Sequence, residues 1–314
     1  MKAPRFWQAN QSLLLPTLLS PIAKIWEAET RRRLKKQGYK SSIPVVCIGN
    51  ITVGGSGKTP TAIKLAQYYL AKGLKPVFLS RGYGANIKQP TKVDVLKHSY
   101  KEVGDEPLLL SQYAEAWVSP NRADGAKAIA KDSQADIIIM DDGMQNPSLH
   151  KDMNILIIDG GFGLGNQKIL PAGPLRESLS DNLKRTDVAI ILGDDRYNIA
   201  NQLSCKTFKA NVIAKSEHIN KNETYWAFCG LGRPSKFYES LEAEHIKVKT
   251  TTDFSDHHPY SEKDITDLID AATLNNCQLI TTEKDKMRIP QHLREQIAYL
   301  PITLDIDFNA IFAD

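Results

Sequence analysis

Residues 52–60, Thr-Val-Gly-Gly-Ser-Gly-Lys-Thr-Pro, combine the parts that hold a polyphosphate. Gly54, Gly55 and Gly57 free the backbone to curl, so that N–H groups converge on anionic oxygens ahead of a helix N-terminus with its positive end. Lys58 is placed to reach the β- and γ-phosphates, Thr59 to offer a hydroxyl to Mg²⁺, and Pro60 to open the helix. One position departs from the usual G-x-x-x-x-G-K-[ST] pattern: the first glycine is replaced by Thr52. Strand, loop, Lys-Thr and helix still follow one another in the order a phosphate loop needs.

Such a loop calls for a metal-binding carboxylate at the end of a neighbouring strand. Ile137-Ile-Ile-Met140 runs straight into Asp141 and Asp142, two adjacent carboxylates whose repulsion demands a cation, which makes them the expected Mg²⁺ post. Asp159, after Asn154-Ile-Leu-Ile-Ile158, is the weaker rival, because a lone strand-end aspartate ordinarily caps a turn. Three further clusters bear reactive types: Ser80-Arg-Gly-Tyr-Gly84, Gly104-Asp-Glu-Pro107 and Asp256-His-His258. By spacing alone these also read as a turn, an acidic helix start and a solvated loop.

The elements that must position these residues alternate between short apolar runs and helical patterns. Residues 43–48, 76–79, 136–140, 154–158 and 188–192 read as buried strands, with helices expected over 60–72 and 121–131. That pattern belongs to a parallel sheet wrapped by helices. After a polar break at 206–222 a second alternation begins at Tyr225. It continues through a helix capped by Ser261 and Asp264, a strand at 278–281 and a last strand at 302–308. Length permits two domains in 314 residues, and Cys47, Cys205, Cys229 and Cys277 lack C-x-x-C spacing, so neither a disulfide framework nor zinc is expected and a reducing compartment fits.

Charge is uneven. Residues 1–40 carry a balance of +7, leaving −3 for the rest of a chain whose total is +4. The basic run Arg31-Arg-Arg-Leu-Lys-Lys36 follows an apolar stretch with Trp7 and Trp26, interrupted by Pro16 and Pro21 and too short to span a bilayer. Two readings remain open for it: a monotopic segment with its apolar side in the interface and its bases on anionic headgroups, or an amphipathic helix packed on the domain.

Taken in order, Val53-Gly-Gly-Ser-Gly-Lys-Thr-Pro60, Ser80-Arg-Gly-Tyr-Gly84, Val103-Gly-Asp-Glu-Pro-Leu108, Asp141-Asp-Gly-Met-Gln145, Leu170-Pro-Ala-Gly-Pro-Leu-Arg-Glu177, Asp256-His-His258 and Thr282-Glu-Lys-Asp285 resemble the tetraacyldisaccharide 4′-kinases of lipid A synthesis over almost the whole chain. The resemblance implies transfer of phosphate from ATP, with Mg²⁺, to the 4′-hydroxyl of a tetraacylated glucosamine disaccharide 1-phosphate. It also implies peripheral attachment to the cytoplasmic face of a Gram-negative inner membrane through residues 1–36, a monomer, and no nucleic-acid partner. The implied fold is α/β: a P-loop NTPase-like, mostly parallel sheet domain over 41–205, preceded by an interfacial helical segment over 1–40. A β-strand hinge over 206–222 joins it to a smaller α/β domain over 223–314, which sends a strand back to the hinge.

Carried onto this sequence, Asp105 becomes the base and His257 its partner, with Lys58 and Asp142 completing the catalytic set. Val53, Gly54, Gly55, Ser56, Gly57, Lys58, Thr59, Pro60, Tyr83, Gln145 and Arg176 become nucleotide-site residues, and Thr59, Asp141, Asp142 and Glu177 metal-site residues. Two departures stand against the family pattern: Asn146 where histidine is common, and Ser255 where proline often precedes Asp-His-His. The competing class is a membrane-associated partitioning-type ATPase switch, whose signature lysine before the paired glycines is here Val53.

Overall fold

The computed structural model describes residues 4–9, 11, 14–82 and 84–313. Its large sheet is built from β1 (Val45–Gly49), β2 (Pro76–Ser80), β3 (Thr91–Lys92), β4 (Ala116–Val118), β5 (Ile137–Asp141), β6 (Met153–Asp159), β7 (Val188–Leu192) and β8 (Lys206–Ala210), in the order β3-β4-β2-β5-β1-β6-β7-β8. All neighbours pair in parallel except the antiparallel edge pair β3–β4. Every residue of β1, β2, β5 and β7 is buried, which is why these strands read as unbroken apolar runs. Alternate side chains feed two cores. Val46, Ile48, Phe78 and Ile139 face one side, and Val45, Cys47, Val77 and Ile138 the other.

The helices are α1 (Leu14–Leu34), α2 (Lys58–Ala71), α3 (Tyr100–Val103), α4 (Asp105–Leu110), α5 (Arg122–Asp132), α6 (Leu179–Leu183), α7 (Ser235–Ala243), α8 (Glu262–Leu274), α9 (Glu283–Lys286) and α10 (Phe308–Phe312). The remaining strands are β9 (Val212–Ala214), β10 (Thr224–Cys229), β11 (Lys247–Asp253), β12 (Gln278–Thr282), β13 (Ala298–Leu300) and β14 (Ile302–Leu304). A second parallel sheet, β11-β10-β12-β13, has its own two cores: Phe237 and Leu241 of α7 cover one face, and Ile265 and Leu268 of α8 the other. Ser261 and Asp264 close the expected capping box on α8.

Three expectations shift. The large sheet extends through Lys206–Ala210, past the limit expected at 205. The strand expected within the hinge is divided in two: Lys206–Ala210 pairs with β7, and Val212–Ala214 pairs with Ile302–Leu304. The last strand stops at Leu304 instead of 308, because Asp305 accepts from the Asn211 backbone and side chain and Asp307 caps α10. Finally, α1 runs through both prolines. Pro16 lies in the first turn, where a missing N–H costs nothing, whereas Pro21 is tolerated inside the helix.

β9 and β14 form an antiparallel two-stranded ribbon between the two sheets, so the chain crosses from one to the other and returns beside itself. The return does not end there. Leu304, Phe308 and Ile311 join the core of the large sheet, and Phe312 stacks on Tyr68 of α2 with ring centroids 5.5 Å apart. Residues 304–312 therefore pack with the first unit, although the sequence places them in the second. Phe308→Ala removes a ring that is 2% exposed and should cost about 3–5 kcal/mol in urea unfolding; a loss under about 1 kcal/mol would mean that α10 does not seal this core.

Candidate active site

In the sheet order the chain leaves β1 toward β2 on one side and crosses from β5 to β6 on the other. A crevice therefore opens at the carboxyl ends of β1 and β5. The phosphate-loop sequence fills it. The loop leaves β1 after Gly49 and enters α2 at Lys58. Its left-handed positions fall on Gly54 (φ 115°) and Gly57 (φ 86°), and a Cβ on Gly57 would lie 2.3 Å from Leu192 Cδ1, so only glycine fits there.

Thr52, the irregular position, needs no such freedom. It forms an antiparallel bridge with Leu175, flanked by Val53 N–H to Pro174 O (2.9 Å) and Arg176 N–H to Ile51 O (2.8 Å). The start of the loop is thus stapled to residues 174–176, and the backbone itself supplies the rigidity.

That staple also delivers Arg176. Its guanidinium grips Asp142 with two bonds of 2.8 and 3.2 Å, while Lys58 Nζ stands 3.7 Å from the same carboxylate. Burial opposes charge on Asp142, but Lys58 and Arg176 outweigh it and hold the carboxyl below its usual range. Gln145 donates to Asn50 O (3.0 Å) and to Glu177 (2.9 Å). Glu177 also accepts from Asn182 and Arg185, and only 2% of it is exposed. Glu177, expected at the metal, is bonded to three side chains and braces the loop.

Asp141 is different. It is buried, and its Oδ1 has no hydrogen-bond partner among the described residues; Asn50 Oδ1 and Ser56 Oγ share that condition. Burial, reinforced by the charges of Glu106 and Asp142, pushes its carboxyl up to about 7 against the pull of Lys58 and Lys284. Orphaned oxygens and a carboxylate left without a hydrogen-bonded counter-charge fit a divalent cation at Asp141 and Asp142. Asp159 is occupied elsewhere, bonded to Arg233 (2.9 Å) and Lys236 (2.6 Å) of the second unit.

The second unit reaches the crevice through the loop after β11. His257 Nδ1 lies 3.0 Å from Asp105 Oδ2, a contact between residues 152 apart in sequence. Asp105 opens α4 behind Gly104 (φ 93°) and is 6% exposed. Burial alone would raise its carboxyl, yet the hydrogen bond from His257 and the charges of Lys284 and Arg288 drive it far below the ordinary range. It is therefore ionised at neutral pH.

Arg288, 1% exposed, ties this corner together. Its Nε is 3.4 Å from Asp105, and its other nitrogens bond Asp285, Gly230 O and His258 O. Neither Arg288 nor the partnering of Lys284 with Glu106 was expected from sequence; the only signal was their closeness to Thr282-Glu-Lys-Asp285. A buried Arg122 at the start of α5, held down to about 10 by burial and then by Arg81, was also missed. Tyr83 lies outside the described residues.

A parallel sheet with a glycine loop at its switch point, a lysine-threonine helix start and paired strand-end aspartates define a P-loop NTPase-like α/β class. Comparison with known proteins narrows it. The family model for tetraacyldisaccharide-1-P 4′-kinase matches residues 15–314. Tetraacyldisaccharide 4′-kinases of Paramagnetospirillum magneticum and Rhodospirillum centenum are 41% and 39% identical, over 98% and 97% of this chain and 95% and 92% of theirs. The crystal structure of LpxK from Aquifex aeolicus, in complex with ATP, superimposes with a TM-score of 0.77 at 27% identity, covering 95% of this chain and 97% of that one. The chain belongs to the tetraacyldisaccharide-1-P 4′-kinase family, and the partitioning-type switch is set aside.

Because Asp141 binds protons more readily folded than unfolded, its titration should erode stability as pH rises from about 4 to about 7. Asp141→Asn should abolish that slope and melt at least about 2 °C higher than wild type at pH 8 in chelator. An unchanged pH dependence of Tm would show that Asp141 is not desolvated as described.

Proposed function

We propose that this kinase phosphorylates the 4′-hydroxyl of a tetraacylated glucosamine disaccharide 1-phosphate at the expense of ATP, with the roles of its residues set by the crevice between the two units. The observation that carries the assignment is the Asp105–His257 contact, an ionised carboxylate at a crevice edge whose charges also act on Asp141 beside the phosphate loop. The curled amides of Val53 to Gly57 take the nucleotide phosphates, with Lys58, Thr59 and Pro60 opening the helix behind them and Gln145 lining the site. Arg176, now on Asp142, is positioned to exchange part of that contact for phosphate oxygens. Mg²⁺ bound at Thr59, Asp141 and Asp142 would neutralise charge on the phosphates.

Asp105 accepts the 4′-hydroxyl proton as the oxygen bonds to the γ-phosphorus and ADP departs with the bond it breaks. His257 donates from Nδ1 to Asp105 and aims the remaining carboxylate lone pairs. We take the β9–β14 ribbon as the hinge, so that closing the units around both substrates excludes water from the γ-phosphate. The division into two units follows as the same proposal, with Lys206–Ala210 and residues 304–312 assigned to the first unit and the segment over 1–40 preceding it.

α1 supports membrane contact. It buries only Pro16, Ala23 and Thr30, seven residues apart, and leaves Leu14, Leu15, Leu18, Ile22, Ile25 and Trp26 exposed. An ordinary soluble amphipathic helix buries its apolar stripe, whereas this one presents it outward. No helix among the described residues is long and apolar enough to cross a membrane. Trp26 Nε1 donates to Arg176 O (3.3 Å) and Arg31 pairs with Asp181 (2.8 Å), so the helix is seated directly against the loop that carries Arg176. Peripheral attachment at the cytoplasmic face, as a monomer without nucleic acid, completes the reading.

In a ³²P transfer assay from ATP to the glycolipid, Lys58→Ala and Asp105→Ala should each lose about 10²-fold or more in kcat. Near wild-type turnover of Asp105→Ala would remove it from the mechanism. Paired Leu18→Asp and Ile25→Asp substitutions should abolish pelleting with anionic phospholipid vesicles while ATP binding persists, and undiminished pelleting would refute the interfacial helix.

A further inference from the structure

Resting on Asp105 as the base, we infer that Lys284 is a positioning residue for phosphoryl transfer: anchored on Glu106, its ammonium faces His257 Nε2 and fixes the imidazole with Nδ1–H directed at Asp105. The distances are 2.8 Å from Lys284 Nζ to Glu106 Oε1 and 3.4 Å to His257 Nε2. An ammonium carries only donors, so the ring nitrogen that meets it must present a lone pair. In a neutral imidazole the proton then belongs on Nδ1, where the carboxylate accepts it.

Four side chains close a ring in this way. Asp105 and Glu106 are consecutive on α4, and His257 and Lys284 come from the second unit. The corner is held from the backbone side too: His257 keeps a positive φ of 56°, uncommon for a residue with a side chain, while its N–H bonds Gly230 O at 3.2 Å. A surface Lys–Glu pair adds little stability and needs no third partner, whereas this pair is half-buried and abuts the imidazole that orients the base. Because the ring has two corners on each unit, the base is correctly oriented only when the units are apposed. Carboxylate orientation is thereby coupled to closure.

The charged and titratable groups facing Asp105 are His257, Lys284 and Arg288 from the second unit and Glu106 and Tyr100 from the first. Removing Lys284 takes away one of the cations that keep Asp105 ionised and releases the imidazole to turn.

The test is the glycolipid kinase assay over about pH 5.5 to 9 with Lys284→Met, Lys284→Ala, Lys284→Arg and Asp105→Asn, alongside ¹⁵N-imidazole NMR of the wild type. Lys284→Met should lower kcat about 10- to 100-fold, the scale on which orienting partners act. The KM for ATP should stay within about twofold. Propylammonium ions should restore part of the activity of Lys284→Ala. His257 should show Nδ1–H with Nε2 unprotonated.

Wild-type kcat in Lys284→Met, with Asp105→Asn inactive, would overturn the role of Lys284 and leave the base in place. An active Asp105→Asn would instead overturn the underlying reading. Lost turnover without amine rescue would reduce Lys284 to packing and likewise defeat the inference. Should Lys284→Met fail to fold, Lys284→Arg must retain the wild-type pH profile and the wild-type imidazole must carry its proton on Nδ1; an Nε2–H tautomer defeats the inference.

Discussion

Two carboxylates cannot sit side by side at the buried end of a strand without a counter-charge, and the arrangement around Asp141 and Asp142 follows from that constraint. Asp142 is compensated within the protein by Arg176 and Lys58. Asp141 is not, and keeps an orphaned oxygen and a raised affinity for protons. One carboxylate is thereby satisfied and the other left in need of a cation, which is the asymmetry a metal-nucleotide site requires before its ligands arrive.

The same pairing makes the loop over 174–185 a structural hub. It staples the irregular start of the phosphate loop through backbone bonds, sends Arg176 to Asp142, buries Glu177 among Gln145, Asn182 and Arg185, and receives α1 at Trp26 and Arg31. The helix with an outward apolar stripe thus leans on the residues that grip the phosphate-loop carboxylate.

Across the crevice, the second unit meets the first at two polar corners. One is Asp105 with His257, Arg288 and the Lys284–Glu106 pair; the other is Asp159 with Arg233 and Lys236. Both lie at strand ends or helix starts on the carboxyl edge of the large sheet. Between them the chain passes through the short β9–β14 ribbon, while α10 crosses back to seal the core beside α2. The contacts at the crevice are charged, whereas those of α10 are aromatic and apolar.

Local sequence determined what depends on local chemistry: the buried strands through their unbroken apolar runs, the glycine loop with Lys58 and Thr59, the Ser261 capping box, and the paired aspartates at the end of β5. It also marked Asp105 and His257 as members of motifs, while their pairing came from the family resemblance. Tertiary structure decided the rest. It showed that a cross-strand bridge to Leu175 holds Thr52 where a glycine is usual, that Glu177 is bonded to Gln145, Asn182 and Arg185, that Lys206–Ala210 completes the large sheet, and that Arg288 and Lys284 close around Asp105. These outcomes rest on contacts between residues as many as 183 positions apart, as Asp105 and Arg288 are, and on desolvation that exists only once both units are packed. Periodicity and spacing report which face a residue presents; they carry no record of the charge or backbone atom that will occupy the space in front of it.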